Sequence, residues 1–237
     1  MKERIQPNLT SLPLGVLSRT YILYQDDLLD RGFQIERFSG QPAVIVDKKV
    51  CPEATILYAG AIILDREVSI GCGTVVEPGA LIMGPTIIGD FTEVRQGAYI
   101  RGYALIGHHC VVGHTTEIKH SVLLGESKAG HFAYIGDSIL GKVNLGAGTK
   151  LANLKVFPSS VKVTVGEKTY DTGLRKFGAV LGDGVETGCN TVTTPGTIVS
   201  PEVLVYPNCT LRGYYPPSTI VKMINNQELV ERLDKNV

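Results

Sequence analysis

The stretch TVVEPGALIMGPTIIGDFTEVRQGAYIRGYALIG, residues 74–107, repeats itself every six positions. Extended in both directions, one register collects Leu64, Ile70, Val76, Ile82, Ile88, Val94, Ile100, Ile106, Val112, Ile118 and Leu124. All are Leu, Ile or Val. In a chain that is 43% hydrophobic, eleven apolar residues in one fixed register arise by chance about once in ten thousand draws. Four residues after each comes a small or β-branched series: Val68, Thr74, Ala80, Thr86, Thr92, Ala98, Ala104, Cys110, Thr116 and Val122. Gly71, Gly89, Gly107, Gly113 and Gly125 each follow an aliphatic, where a sharp corner needs a backbone without a side chain. A period of six fits neither a helix nor a simple hairpin. It fits short strands joined by corners, three to a coil, with the aliphatics inside a triangular prism.

The rest of the chain is read against that ladder. Leu181, Thr187, Thr193, Val199, Val205 and Leu211 resume it, with Val185, Thr191, Thr197, Val203 and Cys209 in the second position. Between the two ladders VKVTVGEKTYDTG, residues 161–173, alternates as a β-hairpin about a Gly-Glu-Lys turn and reads as an excursion. The expected organisation is an N-terminal extension over 1–48, the prism over 49–213 with an excursion at 154–176, and a tail over 214–237. YILYQDDLLDRG predicts a short helix ending at Gly32, YYPP after Gly213 predicts the end of the prism, and NQELVERLDK predicts a C-terminal helix.

Composition narrows the function. The 237 residues carry 23 basic and 23 acidic side chains, so no overall field attracts nucleic acid or an anionic membrane. Every apolar run in MKERIQPNLTSLPLGVLSRTYILYQDD is interrupted by a polar residue or Pro, which predicts neither a leader nor a spanning segment and places the protein in the cytoplasm. The five cysteines, odd in number and without CxxC spacing, argue for reduced thiols over a disulfide framework or a zinc ribbon.

The prism resembles the left-handed parallel β-helix of hexapeptide-repeat proteins, and its handedness is taken from that resemblance. SKAGHFAYIGD (127–137), VNLGAGT (143–149) and Asn153 resemble the acetyltransferase domain of the bifunctional N-acetylglucosamine-1-phosphate uridyltransferase family. The detailed likeness spans about residues 95–155 and loosens toward 210. DTGLRKFGAVLGD is closer to the archaeal sugar-phosphate nucleotidylyltransferase/acetyltransferase branch. The resemblance implies transfer of acetyl from acetyl-CoA, as co-substrate and without a metal, to the amine of a sugar phosphate.

It also implies roles for individual residues. His131 is the expected catalytic base, and an imidazole suits proton removal from an attacking amine near neutral pH. Asn153 lies by the acyl-transfer centre. Arg101 and Lys119 match phosphate-binding residues, and their spacing of three hexads stacks them on one wall, one coil apart. Tyr134 and Asn144 match sugar contacts, and Lys176 matches another contact if 154–175 holds an insertion. Ala147, Cys189 and Pro207 match acetyl-CoA contacts, although the family has Ser and Ala at the latter two. NLKVFPS stands where the bacterial enzymes carry Asn-Tyr-Asp-Gly.

Other features read as structural. Arg95 falls on a different wall from Arg101 and reads as solvated surface. His109 and His114 have a spacing seen in hexapeptide carbonic anhydrases, but Gly73 occupies the third ligand position. Cys110 and Cys209 sit in the small inward series and read as packing. GCGTVVEPG and GAGTK lack the context of a nucleotide loop.

Two readings therefore stand side by side: an N-acetyltransferase for an amino-sugar phosphate or nucleotide sugar, and a non-catalytic sugar-phosphate-binding or nucleotide-sugar-binding regulatory subunit of a nucleotidyltransferase. Residues 1–48 show no nucleotidyltransferase signature, so nucleotidyl transfer is expected to be absent or to belong to another chain. Flat parallel walls and the resemblance predict a homotrimer with sites between subunits.

Overall fold

The computed structural model describes residues 55–58, 60–64 and 67–223, together with short strands at 21–22, 35–38 and 41–45. The hexads form the expected left-handed parallel β-helix. The first wall begins with Ile56–Tyr58, the second with Ile62–Leu64 and the third with Val68–Ile70. Successive strands on each wall pair in parallel, as in Val76 with Val94 and Ile82 with Ile100. Two N-terminal elements run the other way. Tyr21–Ile22 pairs antiparallel with Ile62–Leu64, and the hairpin of Ile35–Phe38 and Gln41–Ile45 pairs antiparallel with Ile56–Tyr58. They cover a strand edge that would otherwise template pairing with another chain. Tyr21 and Ile22 are thus extended rather than helical, because edge pairing overrides local propensity; the remainder of that predicted helix and the predicted C-terminal helix lie outside the described residues.

The inward aliphatics make one continuous core from Leu57 to Leu211. Ile70, Ile82, Ile88, Ile100, Ile106 and Ile118 are fully buried, and each such side chain stabilises the fold by about 1.5–3 kcal/mol. The small series has a second duty. Thr74 Oγ1 donates to Gly89 O at 2.7 Å, Thr92 Oγ1 to Gly107 O at 2.9 Å and Thr116 Oγ1 to Ala129 O at 3.0 Å. The hydroxyls of Thr74 and Thr92 satisfy corner carbonyls that the strand ladders leave unused, and that of Thr116 reaches a carbonyl within the strand Lys128–His131.

The register departs from the strict hexad at both ends of the first ladder. Ile63, not Leu64, is the buried residue of its strand, and Leu123 is fully buried while Leu124 is 49% exposed. In the small series Ser121 replaces Val122 as the buried residue. At the first end a side is longer by one residue between Ile63 and Ile70, and at the second a side is shorter by one between Ile118 and Leu123. That short side makes Val111 pair with Lys128, a coil of seventeen residues, and two more short sides from Ile135 to Leu145 make Lys128 pair with Asn144, a coil of sixteen. The SKAGHFAYIGD segment lies in this contracted region.

After Asn153 the chain leaves the second wall. The bridge between Leu154 and Lys176 closes the excursion, and Lys162–Val165 pairs antiparallel with Lys168–Asp171. The third wall then resumes with Leu140 beside Leu181. The prism also continues past Gly213: Tyr214–Tyr215 and Ile220–Val221 pair in parallel with earlier coils. Pro216 and Pro217 fall between those strands, where the missing N–H costs no ladder bond. Cys110 and Cys209 are buried free thiols and Cys189 is an exposed one, whereas Cys72 is disulfide-bonded to a partner outside the described residues. An odd cysteine count argues against a full framework but is silent on a single bridge.

Candidate functional site on the second wall

Alternate residues of a strand face opposite sides of its sheet, so each second-wall strand presents a residue on either side of its buried aliphatic. On successive coils these are Tyr99 and Arg101, Glu117 and Lys119, then Tyr134 and Gly136. Parallel pairing stacks Tyr99 on Glu117 and Lys119 on Gly136, which puts Arg101 and Lys119 one coil apart on one wall, as their spacing predicts. Arg101 Nη1 is 2.8 Å from Glu117 Oε1, and its guanidinium lies 5.8 Å from the Tyr99 ring centre. That hydrogen bond to Glu117, more than anything else, raises the Arg101 pKa above its ordinary value.

The next two coils build a polar cluster. Lys119 Nζ lies 3.4 Å from Asp137 Oδ2, both side chains being about five-sixths buried. Asp137 Oδ1 is 3.3 Å from His120 Nδ1, and Asn153 Nδ2 donates to Asp137 Oδ2. Asp137 therefore ties together three residues that lie sixteen to eighteen positions away in sequence. Its φ of 47° suits the corner, a conformation Asp tolerates better than most residues. Tyr134 reaches the cluster from the opposite end of its strand. Burial raises the phenol pKa, the Glu117 charge acts in the same direction, and the Asn153 amide works against both. Gly136 makes room for this: a Cβ there would stand 2.7 Å from both Tyr134 Oη and Asn153 Nδ2.

His131 ends the first-wall strand Lys128–His131, beside His114 in the ladder. It is exposed, its ring centre 6.2 Å from that of Phe132, and its imidazole has no hydrogen-bond or ion-pair partner among the described residues. The corner it occupies continues through the later coils. Gly148 N donates to His131 O at 3.0 Å, Asn190 N to Ala147 O at 2.8 Å and Asn208 N to Cys189 O at 2.8 Å. His131, Ala147, Cys189 and Pro207 consequently form one column along the edge between the first and second walls. The polar cluster holds the opposite edge of the second wall, and Tyr134 crosses the face between them.

Lys176 joins the cluster's margin. Phe177 N donates to Asn153 O at 2.9 Å and Gly178 N to Asp137 O at 2.7 Å, so the excursion returns beside the residues it left. Asn144 is different. It sits exposed on the first wall, in register with Lys128 and Glu186, and within one chain it does not join the second-wall group. Arg95 pairs with Glu93 at 2.8 Å on the first wall. His109 stacks on Phe91 at 5.1 Å, while His114 Nδ1 is 2.8 Å from Gln96 O.

Sequence reading missed Asp137, Glu117 and His120. Asp137 stood inside the quoted motif, but an Asp after Gly reads as a turn residue until the coils are stacked. Its placement has an electrostatic consequence. Arg101 faces Glu117 and Lys119 faces Asp137, so an anion that reaches either cation must compete with the carboxylate already beside it.

The prism and its outer face define a hexapeptide-repeat β-helix protein whose second wall carries a cluster of Lys119, Asp137 and Asn153. Residues 82–201 match the GMPPB C-terminal domain family, and the chain belongs to it. A bifunctional sugar-1-phosphate nucleotidylyltransferase/acetyltransferase of Sulfurisphaera tokodaii is 41% identical over 97 residues, 40% of this chain and 24% of that one. The bifunctional protein GlmU of Methanocaldococcus jannaschii is 34% identical over 111 residues, 46% of this chain and 27% of its own. The chain thus spans about a quarter of the length of these two relatives. YaiX of Escherichia coli, named as an acetyltransferase, is 32% identical over 171 residues, covering 70% of this chain and 74% of YaiX. Among solved structures, a Francisella novicida UDP-N-acetylglucosamine acyltransferase aligns over 66% of this chain and 58% of its own at 15% identity and a TM-score of 0.33, too weak a likeness to carry an argument.

Proposed function

We propose that the protein is an acetyl-CoA-dependent N-acetyltransferase acting on the amine of an amino-sugar phosphate or nucleotide sugar. The observation that carries this reading is the second-wall face: a free histidine on one edge, and on the other a buried Lys–Asp–Asn cluster with Tyr134 between them. The names of the relatives supply the reaction class.

In this reading Arg101 and Lys119 hold the phosphate, Arg as a planar fork and Lys as a point charge. Tyr134 and Lys176 orient the sugar. His131 removes a proton as the amine nitrogen attacks the thioester carbonyl. The C–S bond then breaks, and the thiolate of coenzyme A leaves and takes up a proton. Asn153 is the group nearest the acyl carbon and positions it through its bond to Asp137. The donor lies along Ala147, Cys189 and Pro207, the column that begins at His131. Asn144 belongs to the first wall, so in this reading it meets a sugar on the second wall of a neighbouring prism, and that separation supports a homotrimer with shared sites. The setting is the cytoplasm, where acetyl-CoA is available.

The test is thiol release from acetyl-CoA with glucosamine-1-phosphate as acceptor, for wild type and His131→Ala. Loss of a general base lowers turnover by about 10²–10⁴ while sugar-phosphate binding, followed by calorimetry, persists. Equal rates for both proteins remove His131 from the chemistry. A second reading, a regulatory subunit that binds the sugar phosphate or nucleotide sugar without transfer, is favoured by Cys189 and Pro207 in the donor column. Sugar-phosphate binding with no affinity for acetyl-CoA would select it.

A further inference from the structure

The excursion covers more than the edge of the polar cluster. Its stem packs at the corner that joins the second and third walls of the later coils, and beside it lies an open cleft of about 690 Å3, within the ordinary size of a small-ligand site. Ala152, Val192, Thr194 and Pro195 supply its floor on the prism, and Val156 and Phe157 of the excursion also line it. Phe157 is 77% exposed and Val156 95% exposed. Large apolar side chains presented in this way to an open cleft, rather than to a core, mark a ligand surface. The segment that carries them is held in place. Arg175 Nη1 donates to Phe157 O at 2.7 Å, and Lys155 Nζ donates to Ser159 Oγ at 3.1 Å and to Ser160 O at 2.9 Å.

The charge of the lining is one-sided. Lys155, Lys162 and Arg212 border the cleft, and among the described residues no Asp or Glu does. Asp171, outside it, shares the field of Lys155 and Lys162, whereas the Arg212 guanidinium has no hydrogen bond or ion pair among the described residues. An apolar slot with an exposed aromatic ring and a cationic border suits a flat aromatic group joined to phosphates. A free sugar phosphate would leave the ring and the floor unused, and a simple acyl chain would leave the cations unmatched.

We propose that the cleft beside the excursion is a nucleotide subsite, in which an aromatic base packs on Phe157 and its phosphates meet Lys162 and Arg212. The inference rests on the transferase reading for its choice of ligands. Two sources share this chemistry: the nucleotide end of coenzyme A, and the nucleoside diphosphate of a nucleotide-sugar acceptor. Position connects the cleft to the site in either case. Ala152 in the floor precedes Asn153, and the coils that bring Ala147, Cys189 and Pro207 to one edge also bring Ala152, Val192 and Arg212 to the cleft.

The test is calorimetry on the full chain with coenzyme A, uridine diphosphate, pantetheine and glucosamine-1-phosphate, comparing wild type with Phe157→Ala and with Lys162→Ala/Arg212→Ala. All three positions are at the surface, and an unchanged melting curve verifies the fold of each variant. Affinity for the nucleotide that uses the cleft falls about 5- to 100-fold in each variant, from lost stacking or lost charge, while pantetheine and glucosamine-1-phosphate are unaffected. A loss confined to coenzyme A identifies the donor, and a loss confined to uridine diphosphate identifies a nucleotide-sugar acceptor. Unchanged affinity for both nucleotides in the variants, or no binding of either by wild type, overturns the subsite. Acetylation of glucosamine-1-phosphate with unchanged nucleotide affinities would keep the transferase and remove the subsite. Nucleotide binding lost in the variants, with no acetyl transfer to glucosamine-1-phosphate or a nucleotide sugar, would do the reverse.

Discussion

Gly136→Ala adds one methyl group at the most crowded point of the outer face. The backbone there is not in the left-handed region, so alanine adopts it without strain. The new Cβ would stand 2.7 Å from Tyr134 Oη, 2.7 Å from Asn153 Nδ2 and 2.9 Å from Asn153 Cγ. Ordinary contact begins near 3.4 Å, so both side chains must retreat by about 0.7 Å. Each is contacted at its far end, which rotates away at little cost, and the lower entropy of the unfolded alanine chain returns about 0.4–1 kcal/mol. Stability should therefore stay within about 1 kcal/mol of wild type, a melting shift of a few degrees. Activity should not survive so well, because displacement approaching 1 Å at a positioned group costs up to about 10²-fold. The expected result is a fall in kcat/KM of about 10- to 100-fold, measured by thiol release with acetyl-CoA and glucosamine-1-phosphate. Two glycines serve as controls. A Cβ on Gly113 would run into the backbone of Gly130, which has no flexible end to yield, so Gly113→Ala should lose stability by several kcal/mol. Gly130, next to His131, has nothing within 4 Å of its added Cβ, and Gly130→Ala should be silent. Wild-type kcat/KM in folded Gly136→Ala would refute the role given to Tyr134 and Asn153.

Three further outcomes are expected. Leu123→Ala should destabilise by about 2–5 kcal/mol and Leu124→Ala by no more than about 0.5 kcal/mol in denaturant unfolding; equal losses would contradict the shortened side. Iodoacetamide under native conditions should label Cys189 before the buried Cys110 and Cys209, and acetyl-CoA should protect it; labelling without loss of acetyl-CoA binding would take Cys189 out of the donor column. Burial pushes the Cys110 thiol pKa up, so the folded state holds its proton where the unfolded state has lost it. Stability from this group is complete below the unfolded thiol pKa and falls above it, by at most about 1.4 kcal/mol per pH unit. Cys110→Ala should flatten that alkaline slope in unfolding curves taken between about pH 8 and pH 10.

The prism was legible because its inward positions demand aliphatic residues at a fixed interval, and Ile70 to Ile118 obey it without exception. Legibility failed where the interval itself changed. Leu123 and Leu124 are equally apolar, so pattern alone cannot choose between them once a side loses a residue. The prolines after Gly213 were read as a stop because they cannot donate to a ladder, yet at a corner no donor is required. In the site, Arg101 and Lys119 could be stacked by arithmetic from the unbroken part of the ladder. Asp137, His120 and Asn153 could not, since the contracted coils set their separations. Lys176 depended on an excursion whose closure at Leu154 only the fold displays.

The parallel ladder makes the outer wall a ruler with fixed graduations. Neighbouring coils lie about 4.8 Å apart, and each side chain inherits its height from the coil that bears it. Arg101, Lys119 and Gly136 occupy consecutive marks. No loop rearrangement can slide one of these groups by half a division along the prism axis. A longer or shorter ligand must be met by residues one whole mark away, or by a structure mounted outside the scale. The 154–176 excursion is such a mounting, free to vary in reach while the graduations beneath it stay where they are.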